Sequence, residues 1–311
     1  MKPKLPTIIA SSVVRGSQKG ESHGGVFTLD FELQQAEQRL DWNTGDIDFS
    51  GRGADRGLRG ISIDGDKVYI AASDELFCYD RNFNKLQSWR NPYLKHCHEI
   101  CRKDRHLFLT STGHDCLLMF DLDEEKFSWG FHLLKQQGNW SGFVFNPLGD
   151  YGPQAFNEHH INMVHVDSTG IYLSGLRTEA LLHINSRNEV NEVCSLPAGI
   201  HNAMPLNGGV IFNDTQSDCL RIVSRDGVEQ VFKIRQYEPD EIRYEGIDDS
   251  KIARQGFGRG LCIVDERFVV GGSSPSTVTL YDLMTNQVVA SVNMTMDIRN
   301  AIHGLELWPF D

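Results

Sequence analysis

The chain has no long apolar segment. None of its 311 residues lies in an apolar run of about 18, the length that a helix needs to cross a bilayer. Its first residues, Met1 to Thr7, carry positive charge, but no apolar run follows them, so they lack the form of a secretory signal. We therefore expect no membrane partner and a cytoplasmic location.

Several catalytic and cofactor motifs are also missing. The seven cysteines are an odd number, are scattered through apolar segments and form no Cys-x-x-Cys pair, which predicts buried free thiols. No Gly-x-Ser-x-Gly occurs, so a nucleophilic triad has no support. The glycine-rich stretch from Gly256 to Gly260 precedes no helical pattern, which argues against a dinucleotide site. The net charge of −12 argues against nucleic acid as a partner.

One short segment type recurs along the chain. Each copy begins with a small, acidic or otherwise short residue, continues with alternating apolar residues and ends at a turn residue, which predicts a strand. The six copies span residues 25–30, 75–80, 116–121, 180–185, 219–224 and 278–282. A second apolar strand precedes most copies and a third lies about ten residues further upstream, so the repeat predicts a blade of four antiparallel strands.

The repeat predicts an all-β fold, a six-bladed β-propeller that forms a single domain over residues 1–311. Blades start near residues 59, 98, 160, 201, 259 and 303. The segment from His303 to Trp308 has the form of a first strand with no second strand after it, and residues 7–42 supply the rest of that blade. We therefore expect N-terminal strands to complete the C-terminal blade and close the ring. This pattern resembles the propellers of the NHL and SMP-30-like superfamily.

The first strands begin with histidine or arginine, and in a propeller such positions meet at one mouth of the channel. The residues are Arg59, His98, His160, His201, Arg259 and His303. Imidazoles suit zinc, iron, copper or nickel, so we interpret the four histidines as ligands of a divalent metal ion, Fe²⁺ or Zn²⁺. His159 is the alternative to His160, but the match of His160–Met163 with His201–Met204 favours His160. Repeated structural hydrogen bonds and a metal-free anion site are the other interpretations.

Two arginines in a channel need anionic partners. Arg59 and Arg259 are therefore predicted to bind a small anionic substrate and to stabilise its developing charge, with Glu99 as a catalytic carboxylate beside them. The other interpretation is that the two arginines pair with Glu99, Glu306 or an acidic loop residue. Insertions at 43–58, 130–159 and 236–258 precede channel strands and are expected on the same face, where Tyr237 and Tyr244 are candidate substrate-binding residues. Glu99, Tyr237, Tyr244 and Asp240 are the candidates for a general base.

Together these features predict a metal-dependent enzyme acting on a small anion at the channel mouth. A lyase or hydrolase and a non-haem iron oxygenase are both consistent with axial histidines. The arrangement is similar to that of peptidylamidoglycolate lyase, which also has six blades, axial histidines on zinc and a nearby arginine. The alternative is a non-catalytic propeller that serves as a scaffold for proteins or peptides.

Overall fold

A computed structural model describes residues 5–43, 57–244 and 254–310, and within them the chain is all-β. The strands of its first half are β1 (Thr7–Val14), β2 (Gly25–Asp30), β3 (Gln35–Asp41), β4 (Ile61–Asp64), β5 (Lys67–Ala72), β6 (Glu75–Asp80), β7 (Lys85–Arg90), β8 (Ile100–Lys103), β9 (His106–Ser111), β10 (Cys116–Asp121), β11 (Lys126–Gln136) and β12 (Asn139–Phe145). Those of its second half are β13 (Ile161–Val166), β14 (Ile171–Gly175), β15 (Ala180–Ile184), β16 (Val190–Ser195), β17 (His201–Leu206), β18 (Gly209–Asp214), β19 (Cys219–Val223), β20 (Glu229–Lys233), β21 (Leu261–Ile263), β22 (Phe268–Ser273), β23 (Thr277–Asp282), β24 (Gln287–Asn293) and β25 (Asn300–Leu307).

These strands form six sheets, the blades of a β-propeller, as the repeat predicts. The sheet orders are β4-β5-β6-β7, β12-β11-β10-β9-β8, β13-β14-β15-β16, β17-β18-β19-β20, β21-β22-β23-β24 and β25-β1-β2-β3. The last order confirms that N-terminal strands complete the C-terminal blade. The second sheet has a fifth strand because β11 is long and turns back as β12, which is the first part of the predicted insertion 130–159.

The inner strands alternate apolar residues that are buried against neighbouring sheets, which is why the period-two pattern was readable in the sequence. One apolar cluster joins the sheet that contains β1 and β25 to the sheet that contains β21, and includes Ile8, Leu29, Val270 and Ile302. Outer strands such as β3, with residues exposed along most of its length, carry the polar fourth-strand pattern. Burial therefore falls from the inner to the outer edge of each blade.

The described contacts divide the chain into two compact units. Unit 1 contains Met1–Arg59, Arg81–Phe83 and Asn213–Asp311, and unit 2 contains Gly60–Asp80 and Asn84–Phe212. Each unit has its own apolar clusters and its own group of candidate functional side chains. They are described separately below, and the single-domain organisation stays a prediction.

Helical structure is scarce, as the sequence indicates. The ambiguous stretch from Glu238 to Arg254 contains one 3₁₀ turn, Pro239–Glu241, within its described part. The described residues include no helix of the length and apolarity that membrane crossing requires. All seven cysteines are free thiols, five of them buried, which confirms their predicted state.

Candidate functional site

In unit 1, three arginines lie around one histidine. Arg259 lies two residues before the start of β21, His303 lies in β25, and Arg15 directly follows β1. Arg15, Arg59 and His303 are buried, with 1%, 2% and 4% of their surfaces exposed, whereas Arg259 is half-buried. We name Arg15, Arg59, Arg259 and His303 the arginine cluster. It contains both arginines that the sequence singled out.

Hydrogen bonds define the protonation of His303. Its Nδ1 lies 3.2 Å from the carbonyl oxygen of Ala301, and a carbonyl can only accept, so Nδ1 carries the proton. Its Nε2 lies 2.8 Å from Nη1 of Arg259, and a guanidinium can only donate, so the Nε2 lone pair accepts that bond. His303 is therefore a neutral imidazole that orients Arg259.

Electrostatics give the same result. Burial lowers the pKa of His303 well below its usual value, and the positive charges of Arg259, Arg59 and Arg15 lower it further. The three guanidinium groups are thus close enough to one buried ring to oppose its protonation. Such a group of cations is a receptor for a carboxylate, phosphate or sulfate.

Two glycines permit this close packing. Gly260 has φ +74°, and a Cβ there would lie 2.8 Å from the carbonyl oxygen of His303. A Cβ on Gly304 would overlap the carbonyl oxygen of Arg59. Ser11 joins the same segments, because its Oγ donates to the Arg59 carbonyl and accepts from the Gly304 amide at 2.9 Å. The backbone on either side of the arginine cluster is consequently fixed.

Phe257 lies at the exposed edge of the arginine cluster. Its half-buried ring lies 4.5 Å from the guanidinium carbon of Arg259 and 5.4 Å from that of Arg15. Arg254 lies 5.3 Å from the same ring and binds Asp218 through Nη1 at 2.6 and 2.8 Å. Cation–π contacts of this kind help to hold guanidinium groups in place.

In unit 2, His98 and His160 lie together, with ring centroids 5.1 Å apart. His98 Nδ1 is 2.8 Å from the His96 carbonyl oxygen and 2.7 Å from Thr112 Oγ1. Since Thr112 Oγ1 donates its one proton to the Ile161 carbonyl at 2.5 Å, it accepts from His98. His98 therefore carries a proton on Nδ1.

The backbone next to His160 is irregular, because the pairing of β13 with β14 shifts register between Ile161 and Met163. In four blades an amide near the end of the second strand donates to the carbonyl of the residue that precedes the first strand. The bonds are Ala71 N to Gly60 O, Thr110 N to Glu99 O, Leu176 N to His160 O and Gly272 N to Gly260 O. By this bond His160 corresponds in position to Glu99. The choice of His160 over His159 as the ring residue stays a prediction, and the ring of His160 does contact that of His98.

The carboxylate of Asp115 fixes the backbone at His159 and His160. Its carboxylate accepts the amides of Glu158 and His159 through Oδ2 at 2.5 and 2.8 Å, and that of His160 through Oδ1 at 2.9 Å. His159 is buried, with its ring 4.9 Å from that of Trp140, while His160 reaches His98. Three successive amides on one carboxylate fix the backbone where the insertion joins β13.

Glu99 is buried, with 7% of its surface exposed. Its Oε1 accepts the amide of Ile100 at 3.1 Å, and its Oε2 accepts from Nδ2 of Asn202 at 3.2 Å. Thr110 Oγ1 accepts the amides of His98 and Glu99, both at 3.0 Å, and so anchors the start of β8. The structure places Glu99 beside polar groups of unit 2, and its catalytic role stays a prediction.

The two tyrosines predicted to bind substrate make contacts within unit 1, and their substrate role stays a prediction. Tyr237 is buried in a small cluster with Ile242 and Ile298, and its hydroxyl lies 2.9 Å from Thr277 Oγ1. The ring of Tyr244 lies 4.1 Å from the guanidinium carbon of Arg299. Residues 44–56 and 245–253 of the predicted insertions lie outside the described residues.

The metal interpretation finds no support in the described part of the chain. Within residues 5–43, 57–244 and 254–310, no group of three or more histidine, cysteine, aspartate or glutamate side chains is arranged to hold a metal ion. The Nε2 lone pair of His303 is used by Arg259, so this ring does not fit a ligand role. His201 is buried at the start of β17. The metal centre of His98, His160, His201 and His303 remains a prediction.

Sequence reasoning missed Arg15, Asp115 and Phe257. Arg15 directly follows the strand that was correctly predicted to close the ring, and that position was its available signal. Asp115 precedes the repeat copy 116–121, as other turn acids do, and its sequence shows nothing distinctive. Phe257 lies within the glycine-rich stretch that was examined only for dinucleotide binding.

Comparisons with known proteins support the fold. No family model matches the chain, and no curated protein matches it. A chain of a nidogen–laminin complex covers 97% of this chain over 98% of its own length, with a TM-score of 0.59 and 9% identity. A protein of unknown function from Bacteroides caccae covers 98% over 100% of its length, with a TM-score of 0.60 and 11% identity.

Virginiamycin B lyase from Staphylococcus aureus is also similar, with a TM-score of 0.51 and 9% identity over 93% of this chain and 86% of its own. At such identities the likenesses show the fold alone. The six-bladed propeller is therefore confirmed. Membership of the NHL and SMP-30-like superfamily and the likeness to peptidylamidoglycolate lyase stay predictions.

Proposed function

We propose that this propeller is an enzyme that binds a small anionic substrate at the arginine cluster. The observation that carries the proposal is the convergence of Arg15, Arg59 and Arg259 on His303, a buried ring that is kept neutral. Guanidinium groups recognise carboxylate, phosphate and sulfate through paired hydrogen bonds, and low solvent exposure strengthens those bonds. A small anion carrying such a group is the substrate class that these residues suit.

The arginine cluster contains buried groups and half-buried groups. Arg15 and Arg59 are almost fully buried, whereas Arg259 and Phe257 are half-buried. His303 accepts a hydrogen bond from Arg259 and so orients its guanidinium. An anion that reaches the edge therefore meets an oriented donor against an aromatic ring.

The same cations favour reactions in which negative charge develops on the substrate. A guanidinium placed before the reaction stabilises an enolate or oxyanion as it forms. Virginiamycin B lyase, a solved propeller of similar fold, is named for an elimination reaction, which makes lyase chemistry the first activity to test. Neither a general base nor an iron or zinc ion is part of the proposed site.

Anion binding tests the proposal directly. We expect sulfate and small dicarboxylates to raise the melting temperature and to bind with measurable heat by calorimetry. Because a hydrogen bond to a charged group contributes about 1.5–3 kcal/mol, Arg259→Gln should weaken binding by roughly tenfold or more. Arg187→Gln, which removes an exposed arginine paired with Glu189, is the matched control. Equal affinity in wild type and Arg259→Gln would overturn the proposal.

A chelator separates the metal-free interpretation from the metal-dependent one. Dialysis against EDTA should leave sulfate binding and any elimination activity unchanged if the arginines act alone. Activity that disappears with EDTA and returns with Zn²⁺ or Fe²⁺ would instead support a metal-dependent enzyme. His201→Ala, assayed beside it, would show whether that histidine contributes to the metal response.

The non-catalytic scaffold is the second candidate, and one observation favours it. The insertion before β13 displays large apolar side chains, with Leu148, Tyr151 and Phe156 exposed by 63%, 90% and 65%. Exposed aromatic residues on a well-anchored loop are typical of protein-binding surfaces. A double variant, Tyr151→Ala with Phe156→Ala, that keeps sulfate binding but loses a bound protein partner would support the scaffold.

A further inference from the structure

Unit 2 contains a cleft that the proposed function does not use. It has a volume of about 310 Å³ and lies where β9, β10 and β11 face the turns of the next blade. Its apolar wall consists of Phe108, Met119, Trp129, Ile171 and Ile184. This volume is at the lower end of the range for small-molecule sites, which suits a ligand of modest size.

The aromatic wall of the cleft is held in place by its own packing. Trp129 lies parallel to Phe131, with centroids 5.8 Å apart and planes 17° from parallel, and meets Phe108 edge-on at 6.5 Å. These rings belong to the apolar cluster between the two sheets, which also buries Leu173 and Leu182. The cleft is therefore the open end of a packed core, and its wall is formed before any ligand arrives.

The rim of the cleft has one sign of charge. Asp167 is the only ionisable residue among the described residues that line it, and the rest of the rim is neutral, with Thr169, Asn185 and Asn188 supplying oxygen atoms. Each hydrogen bond described for the Asp167 carboxylate goes to Oδ1. The donors are the Thr169 amide at 2.7 Å, the Thr169 hydroxyl at 2.6 Å and the Gly170 amide at 3.3 Å. These bonds fix the carboxylate at the edge of the cleft.

The same bonds keep Asp167 charged. Burial raises the pKa of Asp167, but the hydrogen bonds from Thr169 and Gly170 and the nearby His165 outweigh it, so the pKa lies below its usual value. The carboxylate is consequently ionised throughout the neutral range. An apolar aromatic wall with a fixed negative charge at its edge attracts a cation that carries apolar substituents.

We propose that this cleft binds a small alkylammonium compound. The ammonium group lies at the Asp167 carboxylate, and its alkyl substituents pack on Trp129 and Phe108. Because β13 begins just after His160 and ends just before Asp167, the cleft lies at the opposite end of that strand from the histidine pair. The alkylammonium site is therefore separate from the residues discussed above as candidates for catalysis.

Calorimetry with simple cations tests this site. We expect tetraethylammonium and n-butylammonium to bind, and n-butanol and butyrate of matched size to bind at least about tenfold more weakly, because they lack the cation that the carboxylate and rings attract. Asp167→Asn keeps an oxygen for the Thr169 and Gly170 amides and should weaken cation binding by about threefold to tenfold. Asp226→Asn, an exposed turn carboxylate on another blade, is the matched control.

A second variant changes the aromatic wall of the cleft and tests the same site independently. Trp129→Leu should also weaken tetraethylammonium, with its fold checked by circular dichroism, while sulfate affinity stays at the wild-type value in both cleft variants. Equal binding of n-butanol and n-butylammonium, or unchanged tetraethylammonium affinity in Asp167→Asn, would overturn the proposal. Binding of a lysine peptide at least tenfold more tightly than n-butylammonium would also overturn it, because the cleft would then belong to a protein partner.

Discussion

Asp115 has a left-handed backbone conformation, φ 44°, directly before β10. Its carboxylate lies opposite the point where the long insertion ends, and it accepts three successive amides there. The donors belong to Glu158, His159 and His160, so one side chain determines which histidine reaches His98 and which is buried. A charged acceptor with three partners is costly to remove because three backbone donors, one of them buried, lose their acceptor together.

Replacing Asp115 by alanine should therefore cost about 2–4 kcal/mol of the free energy of unfolding, measured by urea denaturation. Asp123→Ala, which removes an exposed carboxylate that pairs with Arg105, is the control and should cost less than about 1 kcal/mol. Similar losses in the two variants would show that the Asp115 carboxylate contributes little.

At the scale of elements, the insertion 130–159 was expected on the same face as the histidines and arginines that start the first strands. In the structure, side chains of unit 2 form hydrogen bonds to this loop at several points along its length. Nδ2 of Asn91 donates to the Pro147 carbonyl at 3.0 Å, the Tyr93 hydroxyl donates to the Gly149 carbonyl at 3.4 Å, and Nδ1 of His114 donates to the Pro153 carbonyl at 3.2 Å. With Asp115 at its end, the insertion is a fixed surface, which suits binding better than closure.

His114 makes part of this anchoring pH-dependent. Burial lowers its pKa in the folded chain, although carbonyl hydrogen bonds oppose the shift. Above the unfolded pKa of about 6.5 His114 is neutral in both states, and below it only the unfolded chain gains a proton. Its contribution to stability is thus complete above about pH 6.5 and falls as the pH decreases towards the folded pKa.

We expect His114→Gln to remove about 1 kcal/mol of the stability loss that the wild type shows between about pH 7 and pH 5.5. Urea denaturation at several pH values in that interval measures it. His106→Gln, at a half-buried position on β9, is the control. Parallel pH profiles for wild type and His114→Gln would contradict this account of the anchor.

At the scale of the whole molecule, stability depends on the pairing of β25 with β1. The register runs from Ile8 opposite Leu307 to Val14 opposite Asn300, with an irregularity between Ala10 and Ser12. This pairing buries Ile302 and Leu305 in the apolar cluster with Ile8, and it brings Arg15 and His303 into the arginine cluster. Closure of the sheet and formation of the candidate site are therefore one event.

Removing residues 300–311 should prevent cooperative folding. Ile302 and Leu305 together contribute about 4–10 kcal/mol, on the scale of cavity-forming substitutions. That approaches the stability of a whole domain, about 5–15 kcal/mol. Thermal unfolding followed by circular dichroism measures the effect, with removal of residues 309–311 as the control. A cooperative transition in the shorter chain would show that β25 is dispensable for folding.

Much of the fold was predictable because local sequence patterns specify the strands. The predicted closing segment 7–42 begins where β1 begins, and the copies at 25–30, 75–80 and 116–121 coincide with β2, β6 and β10. Alternation with period two is dictated by neighbouring residues in the chain, so it can be read without knowing which strands pair. Closure was also predictable, because the two ends of the chain carry complementary parts of one repeat.

The sequence by itself determined the six blades and the basic and imidazole residues at the starts of their first strands. Only the tertiary structure decided that His160 contacts His98 while His159 is buried, because both of their amides donate to the distant Asp115 carboxylate. It also decided that His303 gives its lone pair to Arg259 and that Arg15 joins them. A side chain's hydrogen-bond partners depend on which distant strands lie beside it, and a repeat written along one chain does not contain that information.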